Sequence, residues 1–142
     1  MAEPRWVLDT SVAVAWFFLD EPLREAALAV RAELREHPES YFVPHLFYSE
    51  LAHVLARKSA RDARFVRQGL ALILRLGIRT MSLSERALLA LAKRTSGGLS
   101  GYDATFVVLA EDLGARWLTG DARAAKVAGR ALAVPLAEWA RR

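Results

Sequence analysis

Short apolar runs of strand length recur along the chain, each separated from the next by a stretch with helical periodicity. That alternation limits the fold more than any other feature. Trp6-Val7-Leu8 is the first run and stops at Asp9. Tyr41-Phe42-Val43 is the second, and Ile78 to Met81 a weaker third. Arg116-Trp117-Leu118 is the fourth, ending in Thr119-Gly120-Asp121, and Ala131 to Val134 is the fifth, broken by Pro135. Between them, Val12 to Phe18 reads as a helical turn or more. A helix then opens at Pro22, with Leu23, Ala26, Ala27, Val30 and Leu34 on one stripe. It ends at His37-Pro38, because a residue before proline avoids the helical region. Pro44 starts a helix carrying Phe47, Leu51, Val54 and Leu55, and another runs from Ala63 to Leu76 with Gly77 as its cap. Ser82-Leu83-Ser84-Glu85 resembles a capping box ahead of Leu88, Leu91 and Ala92. A helix from Tyr102 to Leu113 is stopped by Gly114, and a short one runs to Gly129.

Strands separated by helices cannot pair as hairpins. The economical arrangement is an α/β fold, a five-stranded parallel sheet with helices on both faces in a three-layer α/β/α sandwich. The 142 residues suit one domain, 1–142, with no linker or repeat to divide them. There is no cysteine, which excludes disulfides, thiolate zinc sites and cysteine nucleophiles. The longest wholly apolar run, Val12 to Leu19, is far short of the ~20 residues that cross a membrane. The opening MAEPRWVLDTS lacks the basic start of a signal peptide, so a soluble, cytoplasmic protein is expected.

Four acids stand in apolar or turn contexts instead of on charged helix faces. Asp9 ends the first strand, Asp121 follows the fourth, Glu50 lies in the second turn of the helix after the second strand, and Asp103 opens the helix before the fourth. A helix between parallel strands runs opposite to them, so its N-terminal end lies at the carboxyl edge of the sheet, where ligands bind in such folds. All four acids therefore converge on one edge. Each has an ordinary reading alone: Asp9, Asp103 and Asp121 as helix caps, Glu50 as a partnered buried acid. Jointly they repel one another unless a cation neutralises them. Oxygen ligands without His or Cys favour Mg²⁺ or Mn²⁺. With a formal charge of +4, such a cluster points to phosphodiester hydrolysis.

VLDTS, VPHLF followed by YSELAHVL, YDATFVVLAEDLG and WLTGD, in that order, resemble the PIN-domain nucleases and, more narrowly, the VapC-type toxins of toxin–antitoxin pairs. The likeness spans about Arg5 to Val134. It implies a parallel five-stranded sheet and RNA cleavage with Mg²⁺ or Mn²⁺. It implies Asp9, Glu50, Asp103 and Asp121 as the four metal-holding acids, and a hydroxyl at Thr119 that orients water or an acid. It also implies a homodimer and a VapB-type antitoxin partner.

Residues 57–67 hold five basic side chains and one acid, read either as solvated surface or as a contact for the RNA backbone. His37, His45 and His53 do not have metal-ligand spacing, and Trp16, Phe17 and Phe18 read as core. A phosphate-binding glycine loop is absent from the sequence. A receiver-like domain would need paired acids near the first strand and a late lysine, which Lys126 fits poorly. A haloacid-dehalogenase-type phosphatase would need an aspartate where Ser11 stands. A PIN-like scaffold that binds RNA or a partner without cutting is the non-enzymatic alternative.

Overall fold

A computed structural model describes residues 3–142. Along the chain run β1 (Trp6–Leu8), α1 (Thr10–Val14), α2 (Arg24–Glu36), β2 (Tyr41–Pro44), α3 (Leu46–Lys58), α4 (Ala63–Leu74) and β3 (Arg79–Met81). Then follow α5 (Glu85–Ser96), α6 (Gly101–Leu113), β4 (Arg116–Thr119), α7 (Ala122–Ala128), β5 (Ala133–Pro135) and α8 (Leu136–Trp139). The five strands form one sheet in the order β3-β2-β1-β4-β5, and every neighbouring pair is parallel. The expected α/β architecture is the observed one.

The chain winds from β1 outward to β2 and β3, then crosses back to β4 on the other side of β1 and continues to β5. Right-handed crossovers in opposite directions place the first set of helices on one face and the second set on the other. The reversal falls between β1 and β4, and a crevice opens there at the strands' carboxyl ends. Asp9 and Asp121 follow those two strands.

The core is built from the sheet and the helix faces against it. Val7, Leu8, Val43, Trp117 and Leu118 are fully buried, with Leu51 and Leu55 of α3 and Phe106, Val107 and Leu109 of α6. α6 carries Ala104 and an unbroken buried run from Phe106 to Ala110, because it lies across β1, β2 and β4 under α5. A helix that is apolar on most sides belongs inside.

Several boundaries differ from those read in the sequence. Pro44 ends β2 instead of opening a helix, at a position past β2's pairing with β1, where only β3 flanks it. α2 begins at Arg24, not Pro22; the Arg24 guanidinium donates to the carbonyls of Ala15 and Trp16, both at 2.9 Å, and ties the preceding turn to the end of α1. Ser84, not Ser82, caps α5, its Oγ accepting from the Ala87 amide at 3.1 Å. α4 stops at Leu74 with Arg75 as its cap, and Gly77, at φ +76°, turns the chain further on. β5 begins at Ala133, not Ala131, and takes in Pro135 as its last residue; it is an edge strand, where a missing N–H is tolerated.

Candidate active site at the carboxyl edge of the sheet

Asp9 is both the first residue after β1 and the N-cap of α1. Its Oδ2 accepts from the Ser11 amide at 3.0 Å and the Ser11 hydroxyl at 2.5 Å, while its Oδ1 accepts from the Trp117 indole N–H at 3.2 Å. Ser11 Oγ in turn accepts from the Gly120 amide at 2.9 Å, stitching the loop after β4 to the acid after β1. A Cβ at Gly120 would stand 3.1 Å from that oxygen, so a side chain there would push Ser11 away from Asp9. Asp9 is 7% exposed. Burial pushes its carboxyl above the usual range, Ser11 and Trp117 oppose this, and the Asp103 charge adds to it.

Glu50, in the second turn of α3, is half-buried rather than enclosed. Thr10 donates its hydroxyl to Glu50 Oε1 at 3.0 Å. Burial raises this carboxyl too, with further repulsion from Asp9 and Asp103. Asp103 lies in the first turn of α6 but does not cap it; Ser100 is the N-cap, and its Oγ accepts from the Asp103 amide at 3.0 Å. Burial and the Asp121 charge raise the Asp103 carboxyl. Asp121 is exposed and is the N-cap of α7, its Oδ1 accepting from the Ala124 amide at 3.0 Å. Thr119 is fully buried, so its hydroxyl serves the loop: it accepts from the Asp121 amide at 3.1 Å.

Asp9, Glu50 and Asp103 line one cleft of about 450 Å³, and Asp121 stands outside its wall, close enough for its charge to act on Asp103. Glu21, Arg57 and Lys58 also line this cleft. The Lys58 ammonium lies 2.7 Å from Glu21 Oε1, 3.6 Å from Asp20 Oδ2 and 4.8 Å above the Phe18 ring. Glu21's hydrogen bond holds that ammonium above its ordinary pKa.

The donor set fits a hard divalent cation: oxygen ligands only, with three carboxyls raised by burial and by neighbouring acids. Among the described residues no three such groups are drawn into a ready-made cage. Mg²⁺ does not require one, since it keeps several waters and usually takes one or two carboxylates.

Sequence reasoning missed four contributors: Trp117 and Thr10 as partners of Asp9 and Glu50, and the Glu21–Lys58 pair lining the cleft. The hydroxyls directly after Asp9 were a signal for Thr10 and Ser11. Trp117, more than a hundred residues from Asp9 and read as a strand apolar residue, offered none.

Crossover reversal, edge acids and chain order together describe one class of α/β protein. The PIN domain family model matches residues 6–130. The chain belongs to the PIN domain family. No curated relative matches it. Among solved structures it is similar to PAE2754 from Pyrobaculum aerophilum, at 17% identity and TM-score 0.66, over 98% of this chain and 94% of that one. It is also similar to VapC20 of Mycobacterium tuberculosis, a sarcin–ricin loop cleaving toxin, at 17% identity and TM-score 0.69, over 87% and 95%. A third likeness is to DNA-bound VapBC from Salmonella typhimurium, at 10% identity and TM-score 0.69, over 94% and 99%. At these identities the likeness is one of fold.

Proposed function

We propose that this protein is a divalent-metal-dependent endoribonuclease and the VapC-type toxin of a toxin–antitoxin pair. The observation that carries the reading is the cleft at the β1–β4 reversal, where Asp9, Glu50 and Asp103 line one space and each carboxyl is raised by burial and by a neighbouring acid. Family membership and the toxin names among the structural neighbours support it. In this reading Asp9, Glu50, Asp103 and Asp121 hold Mg²⁺ or Mn²⁺. The bound ion would supply a water made acidic enough to attack phosphorus and a charge to offset the leaving oxygen. Ser11 and Trp117 fix the direction of the Asp9 carboxylate, Thr10 fixes Glu50, and Thr119 fixes the loop that carries Asp121. The partners are RNA, a VapB-type antitoxin and a second copy of the chain. Among the described residues no helix is long and apolar enough to cross a membrane.

The test is RNA cleavage by purified protein with Mg²⁺ or Mn²⁺, expected to stop with EDTA and to leave 5′-phosphate and 3′-hydroxyl ends. Attack by a water gives those ends, whereas attack by the ribose 2′-hydroxyl gives a cyclic phosphate. Cyclic ends or full activity in EDTA overturn the mechanism. RNA binding without cleavage under any divalent ion returns the protein to a scaffold role.

A further inference from the structure

The α3–α4 turn carries an unusual backbone for its sequence. α3 ends at Lys58, and the Arg61 amide reaches back to the Ala56 carbonyl at 2.7 Å, the long bond of a Schellman end. That motif favours glycine in the left-handed position, yet Ala60 occupies it at φ +56°, and Arg61 follows at φ +64°. Two consecutive non-glycine residues in this region are costly. The fold holds them there, and the result is a second hollow of about 300 Å³, lined by His53, Ala56, Arg57, Ala60 and Arg61. The two alanines leave room in it, and the other three side chains bring nitrogen donors.

Arg57 lines both this hollow and the acid cleft, so the two are neighbours along α3. Glu50, His53 and Arg57 follow at helical spacing on that helix. Arg57 lies about 10 Å along the axis from Glu50. Lys58 is paired with Glu21 and Asp20, but among the described residues neither Arg57 nor Arg61 has a carboxylate partner. The basic stretch is therefore not uniform: of its five cations Lys58 is paired with carboxylates, Arg64 and Arg67 stand on α4, and Arg57 and Arg61 converge on an open hollow beside the acids.

We propose that His53, Arg57 and Arg61 form a phosphate-binding subsite that holds a backbone phosphate of the RNA strand next to the linkage in the acid cleft. This rests on the nuclease reading above. A strand of phosphates suits the pair of hollows better than an acidic peptide does, since carboxylates beside Glu50 would meet only repulsion, whereas a phosphodiester there is drawn in with its divalent ion.

The experiment measures binding of a fluorescent single-stranded RNA oligonucleotide in EDTA, where nothing is cut, across about 50 to about 200 mM salt. The double variant Arg57→Gln/Arg61→Gln is compared with the parent and with Arg64→Gln/Arg67→Gln, whose cations lie outside the hollow. Losing the one phosphate contact lowers the salt slope by about 0.7, so the parent's affinity should fall about 2.6-fold further than the variant's over that range. The control should keep the parent's slope, and all three proteins should melt alike. An unchanged slope for Arg57→Gln/Arg61→Gln, or an equal loss in the control, overturns the subsite. So does loss of binding to an acidic peptide with the RNA slope intact, which would assign the hollow to a protein partner. A parent that cuts RNA while the double variant keeps its slope refutes this proposal alone. A parent that neither binds nor cuts RNA refutes the nuclease reading and this one with it.

Discussion

Asp103→Asn tests whether the acids work as a group. The side chain keeps its shape, and Ser100 still caps α6, so the substitution removes one charge and little else. Losing a negative charge in the first turn costs about 0.3–1 kcal/mol of dipole interaction. Against this, burial and the Asp121 charge already disfavour ionised Asp103 in the fold, so a neutral side chain relieves that penalty at pH 7. The two effects oppose each other, and the metal-free variant should melt at or slightly above the parent, within about 4 °C. With Mg²⁺ the order changes. At an ion concentration of about 100 Kd the parent gains about 2.7 kcal/mol; a variant binding 10- to 100-fold more weakly gains only about 0.4–1.4 kcal/mol. Cleavage should fall about a hundredfold or more, the equivalent of about 3 kcal/mol of lost transition-state stabilisation. The assay pairs thermal melts with and without Mg²⁺ against initial cleavage rates. Parent-like cleavage with a parent-like Mg²⁺ shift would remove Asp103 from the site and leave it an ordinary first-turn acid.

Glu50→Gln keeps an acceptor for Thr10 and reports the sign of the acid repulsion. Because the Glu50 carboxyl is raised in the fold, its contribution to stability is whole below the unfolded pKa near 4.5 and is lost as pH rises through the folded value. The metal-free variant should therefore gain on the parent in melting temperature from pH 4.5 to 7.5, and a gap that narrows over that range contradicts the assignment. Trp117→Phe removes the indole donor to Asp9 and should cost about 1.5–3 kcal/mol in urea unfolding, as expected for a buried hydrogen bond to a charged acceptor. An unchanged midpoint would make that contact energetically idle. Ala60→Gly relieves about 1–2 kcal/mol of left-handed strain against an unfolded-state entropy cost of about 0.4–1 kcal/mol. The same urea assay should show a net gain near 0.5–1 kcal/mol, and a loss would mean the turn is unstrained.

Much of this architecture was legible because it follows from period and punctuation. Apolar strands, helical stripes and the glycine after Leu113, at φ +63° in the left-handed position, identified the α6 end and the sheet type directly. Pro44 misled, because a proline that can open a helix can also finish a strand wherever no neighbour needs its N–H, whereas Pro135 does end β5, one residue later than read. The acids were legible as a set because strand ends and helix starts share an edge. Their partners were not. The Trp117–Asp9 bond depends on β1 and β4 lying side by side with Val7 opposite Trp117, a pairing that no local pattern encodes. The two left-handed residues at Ala60 and Arg61 were equally hidden, since alanine and arginine carry no turn signal of their own.

Capping and catalysis look like rival explanations for an aspartate after a strand, but at this site the cap bonds leave room for the proposed metal-holding role. Asp9 Oδ2 accepts from the amide and hydroxyl of Ser11, and Asp121 Oδ1 accepts from the amide of Ala124; each carboxylate is thereby aimed by the helix it starts. A carboxylate accepts at several lone pairs, so a cap bond leaves capacity for a cation. For Asp9 the Ser11 bonds also work against the burial that raises its pKa, and so help keep the charge a cation would need. The cap fixes direction without a long side chain having to be ordered, which is why short aspartates stand at the two strand ends while the longer Glu50 reaches in from the second turn of α3 and needs Thr10 to hold it. Losing the caps would loosen α1 and α7 first and the acid cluster with them. Asparagine at position 9 or 121 can keep the helix start while removing the charge, and only a substitution of that kind separates the two roles.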